Sequence, residues 1–305
     1  MGIFREWAWG FLGITIESLP FVVIGALISG IIQVYLSEDT IRRFLPKNKV
    51  VGLVAAACTG LILPMCECAI VPVTRSLIKK GLPVSVAITF MLSVPIVNPL
   101  VIMSTYYSFP NNISVVVIRT IAGAIGAIIV GAIIGVIYGK KQTNEIIKED
   151  ILQSGCSCCG DNQYDPNRKS IVNLINHASK EFLNISVYVI IGALISSIFG
   201  IIINEDIIKQ FHFGGINSIL IMMGLSFILS LCSEADAFVA KGFFNNFGVA
   251  AVSSFLLLGP MMDLKNFILT LGLFKRTFSY ILLGIISAIV FGIAMAINLF
   301  IVGAA

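Results

Sequence analysis

The sequence predicts an all-α polytopic membrane protein built from two homologous halves, and three observations carry that prediction. Hydrophobic residues make up 57% of the chain and charged residues 12%, with a mean hydropathy of +0.99, whereas soluble domains carry about 25% charge. Several uncharged stretches reach the roughly 20 residues needed to cross a hydrocarbon core. The second half also repeats the first. Gly25-Ala26-Leu27-Ile28-Ser29 recurs as Gly192-Ala193-Leu194-Ile195-Ser196, and the same displacement carries Glu67 onto Glu234 and Gly81 onto Gly248. A displacement two residues shorter carries Pro95-Ile96-Val97-Asn98 onto Pro260-Met261-Met262-Asp263. An internal repeat with polar breaks at matching positions is the pattern of a transporter.

The elements follow in order. The first span covers about Trp9 to Leu36, with Glu17, Pro20 and Gln33 inside it or near its ends. It is too long for a signal-peptide core and lacks a clear cleavage site, so no cleavable leader is expected. A basic loop with Arg42, Arg43, Lys47 and Lys49 follows. Val50–Met65 is apolar, then comes Cys66-Glu67-Cys68 and a second apolar piece ending at Lys79-Lys80-Gly81. Leu82–Tyr107 is broken by Pro95-Ile96-Val97-Asn98-Pro99, because proline removes a backbone donor and frees a carbonyl one turn earlier. Ile113–Tyr138 is a glycine-rich span. The expected organisation is a first membrane repeat over 1–138, a cytoplasmic linker over 139–176 and a second membrane repeat over 177–305.

Lysine and arginine placement chooses between two topologies. If Val50–Lys80 enters and returns on one side, each half has three crossings plus a re-entrant hairpin, and the second half is inverted. Arg42, Arg43, Lys47, Lys49, Lys79, Lys80, the linker basics, Lys275 and Arg276 then share one side, and few basic residues are left on the other. The positive-inside rule favours this inverted repeat, with the linker cytoplasmic and both termini outside. The alternative is eight spans, which places Lys275-Arg276 away from the linker. The net charge of +4 therefore concerns topology and gives no sign of nucleic-acid binding.

An ionisable residue at membrane depth is costly and marks a pathway or a site. The hairpin tips offer Cys66, Glu67 and Cys68 from one half and Cys232, Ser233, Glu234 and Asp236 from the other; the broken spans add Asn98 and Asp263. Non-helical backbone at that depth must line a cavity or be buried in protein, so these breaks are expected to converge on a polar centre. Thiols with carboxylates suit a borderline or soft cation such as zinc. The competing reading pairs the carboxylates with Arg75, Lys241 or Lys265, or makes them proton carriers. Cys58, alone on an alanine-rich segment, is expected to pack between helices as a small apolar residue. Two histidines argue against a histidine site.

In the linker, Cys156, Cys158 and Cys159 stand close enough to capture a thiophilic metal, although a tetrahedral site needs a fourth ligand. Seven crowded cysteines point to thiol chemistry rather than a disulfide framework. There is no GxxxxGK[ST] loop and no nucleophilic triad, so neither a resident cofactor nor an enzyme is expected, and energy from ATP would need another subunit.

CECAIVPVTRSLIKKG (Cys66–Gly81), SVPIVNP (Ser93–Pro99) and LCSEADAF (Leu231–Phe238) resemble the family of predicted bacterial permeases that includes the organoarsenical exporter, the ArsP-like permeases. That resemblance implies a multi-pass protein of the bacterial plasma membrane. Members with arsenical activity export trivalent organoarsenicals through thiol ligands, for which Cys66 and Cys68 are the matching residues. Glu67 and Glu234-Ala235-Asp236 look more like a branch linked to divalent-metal, particularly zinc, homeostasis. The expected function is translocation of a small thiophilic metal or metalloid species, favoured as a divalent cation such as zinc. Alternatives are organoarsenical efflux and a non-transporting membrane subunit that relays metal or thiols to a membrane or soluble partner.

Overall fold

A computed structural model describes residues 2–35, 48–63, 65–139, 143–148, 171–202 and 215–304, and among these the secondary structure is helical. The helices are α1 (Gly2–Tyr35), α2 (Lys49–Cys58), α3 (Glu67–Lys79), α4 (Val84–Ser93), α5 (Pro99–Ser108) and α6 (Ile113–Tyr138) in the N-terminal half. A short helix α7 (Thr143–Ile146) begins the linker. The C-terminal half contains α8 (Ile171–Ile202), α9 (Ile216–Leu229), α10 (Asp236–Met261), α11 (Leu264–Leu273) and α12 (Arg276–Ala304).

Five described stretches are long and apolar enough to cross a bilayer: Trp7–Tyr35, Ile113–Tyr138, Leu174–Phe199, Asn246–Leu273 and Arg276–Phe300. Their outward faces are apolar: Trp9, Ile16, Val136 and Phe300 are exposed while Glu67, Arg119, Asp263 and Lys265 are buried. Water would impose the opposite distribution. In a bilayer it is the expected one, since apolar side chains dissolve in lipid and charges must be enclosed by protein.

The breaks fall where the sequence placed them. A 3₁₀ turn (Thr59–Leu61) and the Cys66 region separate α2 from α3, and residues 94–98 separate α4 from α5. In the C-terminal half, residues 230–235 separate α9 from α10, and Met262-Asp263 separate α10 from α11. At 1.5 Å per residue, α2, α4, α5 and α11 each rise only about 15 Å, half of a hydrocarbon core. Corresponding positions share their conformations. Gly81 and Gly248 both have positive φ, 90° and 75°, so the first turns the chain between α3 and α4 and the second bends α10. Asn98 and Asp263 both cap the helix that follows, their side-chain oxygens accepting from Leu100 N at 3.0 Å and Asn266 N at 2.6 Å.

The recurring Gly-Ala-Leu-Ile-Ser segments have a packing reason. Helices α1 and α8 lie against each other, α1 also against α3 and α8 against α11. A Cβ on Gly25 would sit 2.8 Å from Ala69 Cα, and one on Gly192 would sit 2.9 Å from Lys265 Cα. Glycine at both places lets two long helices touch the backbones of α3 and α11, which carry the central charges.

At the linker end, Ile147 bridges Phe274, Lys148 N donates to Leu273 O, and Lys275 N donates to Ile146 O. Lys148 Nζ donates to Leu271 O at 2.6 Å, and Arg75 donates to Lys148 O at 2.9 Å while facing Glu181 at 3.5 Å. Partial burial and the charge of Arg276 lower the Lys148 pKa. The corner carrying Lys275 and Arg276 therefore lies at the same end of the bundle as the start of the linker.

Candidate functional site

Three of the four breaks meet at one buried centre. From the α2–α3 break, Cys66 occupies the N-cap position of α3 and Glu67 its first turn, with Cys68 next along the helix, and all three side chains are buried. From the α9–α10 break come Cys232, Ser233 and Glu234. Cys232 Sγ donates to Glu234 Oε2 at 2.8 Å, while Ser233 Oγ lies 3.5 Å from both Glu67 Oε2 and Glu234 Oε2. One hydroxyl thus stands between carboxylates from opposite halves of the chain. From the α10–α11 break come Asp263 and Lys265: Lys265 Nζ is 3.4 Å from Glu67 Oε1 and 4.0 Å from Asp263 Oδ2.

Local geometry brings these groups together. Ser230 ends α9 in the left-handed conformation, with φ 48°, unusual for a residue with a Cβ. Its Oγ accepts from Lys265 N at 3.3 Å, fastening one break to the start of α11. Ionised Glu67 and Asp263 would share one ammonium, with Glu234 across Ser233 from Glu67, leaving the centre with excess negative charge. Such a centre calls for protons or a cation.

Asp236 sits beside this cluster and is differently engaged. Arg119, buried at 1% exposure on α6, reaches it through Nη2 at 2.8 and 2.9 Å. The same guanidinium donates to Ser233 O at 2.8 Å and Thr105 Oγ1 at 2.8 Å. Sequence reasoning did not assign Arg119, although a lone arginine in an otherwise uncharged span was a signal that it needed an acidic partner.

Several expectations change. The pairing reading holds for Glu67 and Asp263, which face Lys265; Arg75 instead faces Glu181, and Lys241 is exposed. Asp236 is held by Arg119 and so is not an open ligand. Asn98 is buried, but among the described residues its side-chain hydrogen bond caps α5 and does not join it to the cluster. Cys58 is exposed on the outside of the bundle rather than packed between helices, because its side of α2 faces outward. Among the described residues no three His, Cys, Asp or Glu side chains are gathered as a metal site. Cys156, Cys158 and Cys159 lie outside the described residues.

An apolar exterior around a buried charged centre defines a polytopic membrane protein whose polar cluster lies where the two halves of the chain meet. A family model described as "Predicted permease" (ArsP_1) matches residues 4–299, and the chain belongs to that family. It is 38% identical over 281 residues to the UPF0718 protein YcgR of Bacillus subtilis, covering 92% of each chain. It is 37% identical over 282 residues to a Streptococcus mutans protein named as a two-component membrane permease complex subunit, covering 92% of this chain and 91% of that one. No solved structure matches.

Proposed function

We propose that this permease translocates a thiophilic cationic metal species, zinc serving as the reference ion, through the centre formed by Cys66, Glu67, Cys68, Cys232, Glu234 and Asp263. The observation that supports the reading is Ser233 Oγ at 3.5 Å from both Glu67 and Glu234, carboxylates from opposite halves of the chain on one hydroxyl. A site shared across halves is one that rocking of one half against the other opens to alternate sides. Carboxylate and thiol donors together suit a borderline cation better than a neutral organoarsenical, which gains little from carboxylates. Cargo binding requires the donors to close up, with Lys265 leaving Glu67.

The placement of Lys275 at the linker end supports the inverted arrangement over eight crossings. With the linker cytoplasmic, the protein sits in the bacterial plasma membrane. The name of the Streptococcus mutans relative favours a second component working with this chain, and a transported ion, with no catalysis, accounts for the site.

The deciding experiment is flux into proteoliposomes by the intact protein, Glu67→Gln and the Cys66→Ser/Cys68→Ser double variant. Zinc flux lost in both variants is the expected result. Organoarsenical flux that needs the cysteines and ignores Glu67 would instead assign the protein to arsenical export. A folded protein that moves neither would leave the partner-relay alternative, which removal of Cys156, Cys158 and Cys159 would then abolish.

A further inference from the structure

The Glu67–Lys265 contact joins the first turn of α3 in one half of the chain to the first turn of α11 in the other. Its geometry is loose. Charge-assisted N–H···O contacts run about 2.7–2.9 Å, yet Lys265 Nζ stands 3.4 Å from Glu67 and 4.0 Å from Asp263. Among the described residues Asp263 Oδ2 accepts no hydrogen bond, so its share of the ammonium is a matter of charge. A lysine ammonium is a compact point charge on a flexible four-carbon stem. The backbone beneath this stem is fixed, because Gly192 of α8 lies directly against Lys265 Cα and Ser230 accepts from Lys265 N. The base is therefore held in place, while the tip is held by two long contacts.

The ammonium occupies the place a cationic cargo needs. Cargo binding to Glu67 and the thiols must displace Lys265, and cargo release leaves carboxylates that are costly to keep uncompensated away from water. We propose that Lys265 is a tethered counter-ion, exchanging with the cargo on Glu67 and compensating the charge of Glu67 in the empty centre so that the unloaded permease can return across the membrane. The proposal rests on the cation-permease reading above. It adds that the unloaded and loaded proteins carry alternative cations on the same carboxylate.

The test uses zinc as the probe and the full chain in proteoliposomes, measuring net zinc flow down a gradient and zinc-for-zinc counterflow. Net flow requires the empty form to return; counterflow needs only the loaded form. Lys265→Met is expected to keep counterflow and to lose net flow by about tenfold or more, the scale on which removing a counter-ion shifts a two-state equilibrium. Lys265→Arg, which keeps the charge, is expected to restore net flow. Unchanged net flow in Lys265→Met, or net flow and counterflow falling together, would overturn the proposal.

A second measurement needs no variant. In the unaltered protein, zinc should raise the reaction of Lys265 with a membrane-permeant amine reagent, and unchanged or lowered reactivity would overturn the exchange. Absence of both zinc flows in the unaltered protein would remove the cation-permease reading and this inference with it; the variant outcomes above bear on the inference alone.

Discussion

Two buried ion pairs stand next to each other in this protein and are built to different standards. Arg119 meets Asp236 at 2.8–2.9 Å through Nη2, which also donates to Ser233 O, while Nη1 donates to Thr105 Oγ1. Lys265 is shared between Glu67 and Asp263 at 3.4 and 4.0 Å. The first pair fixes a guanidinium fork in several contacts at once, which makes it a clamp on the Cys232–Glu234 segment. The second holds a point charge loosely between two carboxylates, which leaves it exchangeable. Neighbouring charges at the same depth can thus serve opposite purposes, and contact geometry separates them.

The largest effect expected from this contrast is on folding. Arg119→Met leaves Asp236 buried without its partner, which should cost about 3–5 kcal/mol and show as a large drop in thermal unfolding temperature in detergent. Lys265→Met should cost clearly less, because its contacts are long. The reverse order would break the distinction between clamp and exchangeable pair.

The two capping residues sharpen the comparison at a smaller scale. Asn98→Ala removes a helix cap outside the charged centre and should lower stability by about 1 kcal/mol with zinc flux unchanged per folded molecule. Asp263→Asn keeps an oxygen for the Asn266 amide and removes the charge facing Lys265. Stability should hold while zinc flux falls. Equal flux in Asp263→Asn and the unaltered protein would mean that the Asp263 charge serves only the cap.

The smallest effect belongs to Cys58. It is exposed on α2, away from the dithiol, and Cys58→Ser should change stability by no more than about 0.5 kcal/mol and leave flux intact. A loss of flux comparable to that of Cys66→Ser/Cys68→Ser would place the thiol chemistry outside the centre described here.

Much of the fold was legible because its signals are local. Long uncharged runs can only be membrane helices. Proline with asparagine or aspartate at matching places breaks them, and Gly81 and Gly248 recur where φ turns positive. The membership of the centre was legible in part, since a carboxylate in an apolar run is conspicuous wherever it lies. Its partners were not. Asn98 and Asp263 look alike in sequence, yet both are caps and only Asp263 also faces a cation. Cys58 and Cys66 are both thiols in apolar segments, and only the facing of each helix set them apart.

The sequence by itself determined that this is a polytopic helical membrane protein with two similar runs of broken helices and a small set of buried carboxylates and thiols. Those properties follow from the cost of exposing polar groups to lipid, which is counted residue by residue along the chain. Only the tertiary structure decided that Lys265 faces Glu67 across 198 residues and that Arg119 holds Asp236 across 117. A charge buried in lipid must find an opposite charge, but which one it finds depends on how the helices pack, and hydropathy along the chain carries no record of that.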